Sequence, residues 1–103
     1  MYKDKKICVV IPCYNEETQI SMVIDSMPKY VDYMVIVDDA SPDKTTDIVR
    51  EYQTRNDKIV LLIHQHNQGV GGAIATGYTW ARDKKGMPYK VALPAGDPGG
   101  EHE

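Results

Sequence analysis

Apolar residues fall along this chain in blocks of two alternating kinds, unbroken runs and helix-spaced stripes. Ile7 to Ile11 is a continuous run, as in a strand buried on both faces, and Pro12 then removes an amide donor and is expected to end it. Ile20, Val23, Ile24 and Met27 recur at helical spacing, predicting a helix with Asn15 as its cap and Pro28 as its stop. Tyr33 to Asp38 predicts the second strand. Ser41-Pro42 then offers an N-cap and a proline at the first helical position, ahead of the stripe Thr45, Ile48, Val49 and Tyr52. A third run spans Lys58 to His64, and the polar, glycine-rich stretch Gln65 to Gly72 follows it as a loop. Ile74, Gly77, Tyr78 and Ala81 mark a third helix. After Gly86-Met87-Pro88, a fourth run, Tyr89 to Leu93, reaches Pro94-Ala95-Gly96-Asp97.

Strand and helix thus alternate from the first element to the last. The pattern predicts an α/β fold, a Rossmann-like three-layer α/β/α sandwich with right-handed crossovers and a mainly parallel sheet in the order 3-2-1-4. Residues 1–97 are expected to form one folded unit and residues 98–103 a tail.

Composition narrows the partners. With 103 residues the chain holds one domain at most, and it is expected to be part of something larger. A net charge of −3 gives no field that would draw in polyanions, so nucleic acid is disfavoured. Cys8 and Cys13 lie on one predicted strand and its exit with side chains on opposite faces, so they are expected to be reduced thiols in a cytosolic setting. The charged start, Met1 to Lys6, precedes too short an apolar run for a signal-peptide core or a membrane span.

Ligands of open α/β sheets bind outside the carboxyl ends of the strands, so the adjacent acids Asp38 and Asp39 are candidates for chemistry. In the predicted strand order, Asp38-Asp39-Ala40-Ser41 shares one edge with Pro12-Cys13-Tyr14-Asn15-Glu16-Glu17, Asn67-Gln68-Gly69-Val70-Gly71-Gly72 and Ala95-Gly96-Asp97. A nucleoside diphosphate accounts for the set. A carboxylate only accepts hydrogen bonds, which suits the ring N–H of uracil, thymine or guanine. Tyr14 offers a face on which a base can stack, worth roughly 1–3 kcal/mol. Gly69, Gly71 and Gly72 suit close backbone approach at a helix N-terminus whose amides favour phosphate or a carboxylate, and they equally suit a tight loop with no ligand. Asp97 beside a diphosphate can complete the oxygen shell of Mg²⁺ or Mn²⁺, and it equally suits a turn.

Three of these segments carry a resemblance. Val9-Val10-Ile11-Pro12-Cys13-Tyr14-Asn15-Glu16-Glu17, Ile36-Val37-Asp38-Asp39-Ala40-Ser41-Pro42-Asp43-Lys44-Thr45 and Asn67-Gln68-Gly69-Val70-Gly71-Gly72-Ala73 resemble the opening motifs of family-two glycosyltransferases of the dolichyl-phosphate-mannose-synthase-like kind. The resemblance implies the nucleotide-sugar-binding half of a GT-A fold. Pro12, Tyr14 and Glu16 would line the nucleoside, Asp39 would hold the base, Gly69 and Gly71 would approach the nucleotide, and Asp97 would be the metal carboxylate, with Asp38 nearer a structural role. It further implies inverting transfer from a UDP, GDP or dTDP sugar to a polyprenyl phosphate or glycan acceptor, with Mg²⁺ or Mn²⁺ on the departing diphosphate. The expected location is cytoplasmic, at the inner face of a membrane through a further C-terminal part. The family commonly has two acids flanking one residue at the fourth strand's end, whereas Ala95-Gly96-Asp97 keeps only the second. No acceptor-binding half or catalytic base is expected within these residues, so the chain reads as a donor-binding fragment.

Two other classes compete. Val35 to Asp39 also resembles the Mg²⁺-holding acid pair of a phosphoacceptor receiver domain, although here the pair follows the second strand, and Asp83, the candidate phosphorylation site, ends a helical pattern. A non-catalytic interaction module, pairing as a homodimer through an open sheet edge, is the other. A dinucleotide-binding reading is weak, because the glycines of Gly69 to Gly72 lack the final one of GxGxxG and follow the third strand. His64 and His66 are expected to be exposed polar residues, Trp80 to pack against a neighbour, and Lys84-Lys85 to bias a helix C-terminus.

Overall fold

A computed structural model describes the backbone of residues 7–85 and 89–91 and the side chains of residues 7–83. Its elements are β1 (Cys8–Cys13), α1 (Ile20–Asp25), β2 (Tyr33–Asp38), α2 (Thr45–Gln53), β3 (Ile59–Ile63), α3 (Gly69–Trp80), a π-helical turn (Ala81–Lys85) and β4 (Tyr89–Val91). The strands form one parallel sheet in the order β3-β2-β1-β4, as the alternation predicts. β1 and β2 pair from Cys8 opposite Tyr33 to Cys13 opposite Asp38, and β3 continues the register from Ile59 opposite Met34 to Ile63 opposite Asp38. The strand-to-helix turns after β1, β2 and β3 therefore leave from the same edge.

The pleat divides the core in two. Val9, Ile11, Cys13, Met34 and Ile36 face α1 and α2, where they meet Ile20, Val23, Ile24 and Val49. Cys8, Val10, Val35 and Val37 face α3 and the turn after it, where they meet Ala73 and Ala81. Ile11, Ile20, Ile36 and Val49 are wholly buried, each worth about 1.5–3 kcal/mol of apolar transfer. Cys8 and Cys13 are free thiols in separate layers, as the five-residue spacing predicts.

Helix α3 lies close against the sheet at Gly77, where a Cβ would press well inside contact distance of Val10 Cγ1. Its buried stripe is Ala73, Gly77 and Ala81, whereas Tyr78, expected inside, is 38% exposed. Trp80 packs beside the same layer and meets Tyr33 edge-on, ring centroids 6.0 Å apart.

Five boundaries differ from the sequence reading, the first being the end of α1, which falls at Asp25 with Ser26 as its cap and not at Pro28. β1 continues through Pro12 to Cys13. The Ile7 and Cys13 carbonyls bond to amides on the β2 side, so strand alternation turns Pro12's absent donor toward β4, whose described pairing ends with Val91 opposite Val10. Asn15 is no helix cap: it takes φ 60° in the turn, and α1 starts only at Ile20, after Gln19 and Ile20 amides bond to the Glu16 carbonyl. Ser41-Pro42 does not open α2 either, because Asp43 Oδ1 accepts from the Thr45 amide and hydroxyl at 3.0 and 2.6 Å and the helix begins there. Gly69 to Gly72, expected in a loop, form the first turn of α3. The predicted end of the fourth strand at Leu93, the Gly86-Met87-Pro88 turn and the 98–103 tail lie outside the described residues.

Candidate functional site

The carboxyl edge of the sheet is organised by Asp38 and Asp39, which reach opposite ways. Successive strand residues point to opposite faces, so the carboxylates diverge although the residues adjoin. Asp38 lies on the α1–α2 side. Its Oδ1 accepts from the Ser41 hydroxyl at 2.6 Å and its Oδ2 from the Ser41 amide at 2.9 Å, while the Cys13 thiol approaches Oδ1 at 3.8 Å. Asp39 lies on the α3 side. Its Oδ1 takes the His64 Nδ1–H at 2.7 Å and the Gln68 amide at 2.8 Å, and its Oδ2 takes the Gly69 amide at 2.7 Å. A receiver-type metal pair requires two carboxylates that converge, and these do not.

Each acid anchors a different loop. On the Asp38 side, the exits of β1 and β2 are cross-tied: the Asn15 amide donates to Ser41 Oγ, the Glu16 amide to Thr45 Oγ1 and the Glu17 amide to Asp43 Oδ2, while the Lys44 amide donates to Glu17 Oε1. On the Asp39 side, the Asn67 side chain donates to the Asp39 carbonyl at 3.2 Å, and the His64 amide donates to the Asp38 carbonyl at 2.9 Å. The three exits are one hydrogen-bonded surface. Asn15, Ala40 and Gly69, one on each exit, take φ of 60°, 63° and 85°, the left-handed region that non-glycine residues seldom occupy.

Burial works to raise the Asp39 pKa, but the His64 hydrogen bond and the amides of Gln68 and Gly69 outweigh it and hold the carboxyl below its ordinary value. Asp43 is lowered in the same way, burial being outweighed by the Thr45 hydroxyl and nearby amides. Burial pushes the Cys8 thiol up to about 11. Cys13 rises further, through burial first and then the negative charge of Asp38.

Pro12 is buried beneath this surface, Tyr14 stands 46% exposed on it and Glu16 is half-buried. Gly69 and Gly71 are exposed at the start of α3. The Gly69 amide faces the protein's own Asp39, so of the two partners expected for that helix end, phosphate or carboxylate, the structure supplies the carboxylate. Asp97 lies outside the described residues. Among the described residues no three His, Cys, Asp or Glu side chains gather to hold a metal ion, and no helix is long and apolar enough to cross a membrane.

His64, expected to be exposed, is instead buried between Asp39 and Thr76, whose Oγ1 lies 2.7 Å from Nε2. The strand period carried the signal: Val60 and Leu62 pack on the α3 layer, and His64 continues their parity. Thr76 had its own signal, one residue before the buried Gly77 and at i+3 from Ala73.

A parallel α/β sheet with loops knitted along its carboxyl edge is the architecture in which open α/β folds place their ligand sites. The glycosyl transferase family 2 model matches residues 8–89, and the chain belongs to that family. It is 37% identical over 87 residues to the UDP-N-acetylglucosamine--dolichyl-phosphate N-acetylglucosaminyltransferase of Methanococcus voltae, covering 72% of this chain and 35% of that protein. It is 30% identical over 94 residues to the human dolichyl-phosphate beta-glucosyltransferase, covering 79% and 29%. The mannosyltransferase PcManGT of Pyrobaculum calidifontis, solved in complex with GDP-Man and Mn²⁺, superimposes with a TM-score of 0.67 at 26% identity, over 73% of this chain and 24% of that one. Staphylococcus aureus TarS 1-349, at 24% identity and a TM-score of 0.68 over 85% and 27% of the two chains, shares the fold. The chain spans about a third of the length of the curated relatives it matches.

Proposed function

We propose that residues 1–97 are the donor-binding half of an inverting glycosyltransferase, taking a UDP, GDP or dTDP sugar for transfer to a polyprenyl phosphate or glycan acceptor. The observation that carries this reading is the single surface that Asp38 and Asp39 make of three loops, with the Tyr14 ring left open to solvent on it. In this reading a base stacks on Tyr14, and Pro12 and Glu16 border the nucleoside. An ionised carboxylate offers about four acceptor positions. Among the described residues, donors use two positions on Asp39 Oδ1 and one on Oδ2, which leaves one on Oδ2 for a ring N–H. Gly69 and Gly71 keep the start of α3 free of side-chain bulk beside that carboxylate. Asp97, with diphosphate oxygens, is assigned to a Mg²⁺ or Mn²⁺ ion, which when bound would neutralise charge on the departing diphosphate.

Calorimetric titration of the 103-residue chain with UDP, GDP and dTDP in the presence of Mg²⁺ or Mn²⁺ tests the reading. Binding of at least one at millimolar concentration or below is expected. A chain with native circular dichroism that binds none of the three overturns it.

A further inference from the structure

We propose that His64 and Thr76 are positioning residues that orient the Asp39 carboxylate so that its last acceptor position selects a base bearing a ring N–H; the proposal rests on the donor-site reading above. The three side chains form a line, buried at Asp39 and His64 and half-buried at Thr76, with Thr76 Oγ1 2.7 Å from His64 Nε2 and His64 Nδ1 2.7 Å from Asp39 Oδ1. The His64 and Asp39 side chains are only 7% and 5% exposed, so the bond between them is shielded from competing water. A carboxylate only accepts, which puts the proton on Nδ1, and the Nε2 of the neutral ring then accepts from the Thr76 hydroxyl.

The loops are already fastened without this line. The His64 amide holds the Asp38 carbonyl, and the Gln68 and Gly69 amides hold both Asp39 oxygens. What the imidazole adds is a second donor on Oδ1, against one on Oδ2. With Oδ1 doubly engaged, the carboxylate is fixed in rotation, and the acceptor position that the described residues leave open falls on Oδ2. Thr76, rising from α3, holds the Nε2 side of the ring and with it the plane of the imidazole. A single acceptor in a fixed direction discriminates between bases that carry the N–H, uracil and guanine, and those that lack it, cytosine and adenine.

The test is a ratio, which a merely structural role would not move. Affinities of the folded 103-residue chain for UDP against CDP, and for GDP against ADP, are measured by calorimetry with Mg²⁺ for wild type, His64→Leu, His64→Asn and Thr76→Val. The wild type is expected to favour one N–H base over its counterpart. His64→Leu should lower that preference at least tenfold, and His64→Asn, whose amide sits near the Nδ1 position, should restore most of it. Thr76→Val should fall between. A folded His64→Leu chain with an unchanged preference overturns the proposal. If His64→Leu does not fold, a folded Thr76→Val chain with an unchanged preference overturns the proposal equally, since that variant is expected to lower it. A wild type that binds all four nucleotides alike overturns the Asp39 reading itself, a different failure with a different signature.

Discussion

Asp38 and Asp39 are joined by one peptide bond, yet their carboxylates serve opposite faces of the sheet. Asp38 closes on Ser41 toward α1 and α2, and Asp39 closes on His64, Gln68 and Gly69 toward α3. Amide exchange should separate them. Asp39→Asn is expected to raise exchange at Gln68 and Gly69 while leaving Ser41 protected, and Asp38→Asn to do the reverse. Equal effects of the two substitutions on both loops would contradict the division.

Acid should weaken the fold through Asp39 and Asp43. Both have folded-state pKa values below their ordinary ones. Their contribution is therefore full above the unfolded value of about 4 and is lost as the pH falls toward and through the folded value. Urea midpoints should drop between pH 6 and pH 3, and the drop should be shallower in Asp39→Asn, a comparison that the variant's lower starting stability does not obscure.

Gly77 sets how near α3 can lie to the sheet. Alanine would gain about 1 kcal/mol of helix propensity but would force its Cβ against Val10, an overpacking cost of about 1–3 kcal/mol. Net destabilisation is expected by chemical denaturation, partly relieved when Val10→Ala is combined with it. Gly71→Ala, which meets nothing within 4 Å, should be neutral or stabilising, whereas Gly69→Ala, at φ 85°, should cost about 1–2 kcal/mol.

Tyr14→Ala should leave the urea midpoint nearly unchanged, since its ring is 46% exposed. The same variant should weaken nucleotide binding by about 1–3 kcal/mol, the worth of a stacked base. Calorimetry and denaturation on one sample check both halves.

The buried thiols provide a reporter of opening. Cys8 and Cys13 are expected to resist iodoacetamide at pH 8 in the native chain, because both are shielded and burial raises both pKa values. Both should react in denaturing urea, as mass spectrometry would record.

The strands were legible because a strand buried on both faces is a continuous apolar run, and Cys8–Cys13, Tyr33–Asp38 and Ile59–Ile63 follow those runs to within two residues at either end. Helix starts were less legible. Asn15 and Ser41 are residue types that cap helices, but here they fasten one loop to another, a use that local spacing does not reveal. Gly69, Gly71 and Gly72 read as a loop because glycine is a poor helix former, and the group that steadies their helix lies far away in the chain. Tyr14, Glu16 and Asp39 are candidates the motifs themselves supply, whereas His64 reads as an exposed polar residue because no third ligand stands at metal spacing from it and His66, and the acid that it pairs with lies 25 residues away.

That distant steadying group bears on the order in which the chain assembles. Glycines in the first turn each cost about 1 kcal/mol relative to alanine, and a helix of 12 residues is marginal alone in water. The Asp39 carboxylate that satisfies the Gln68 and Gly69 amides comes from 29 and 30 residues earlier. Helix α3 is thus expected to gain its first turn only once β2 is in place. In a chain emerging from its N-terminus, the acceptor is made first and stands in place when its donors arrive.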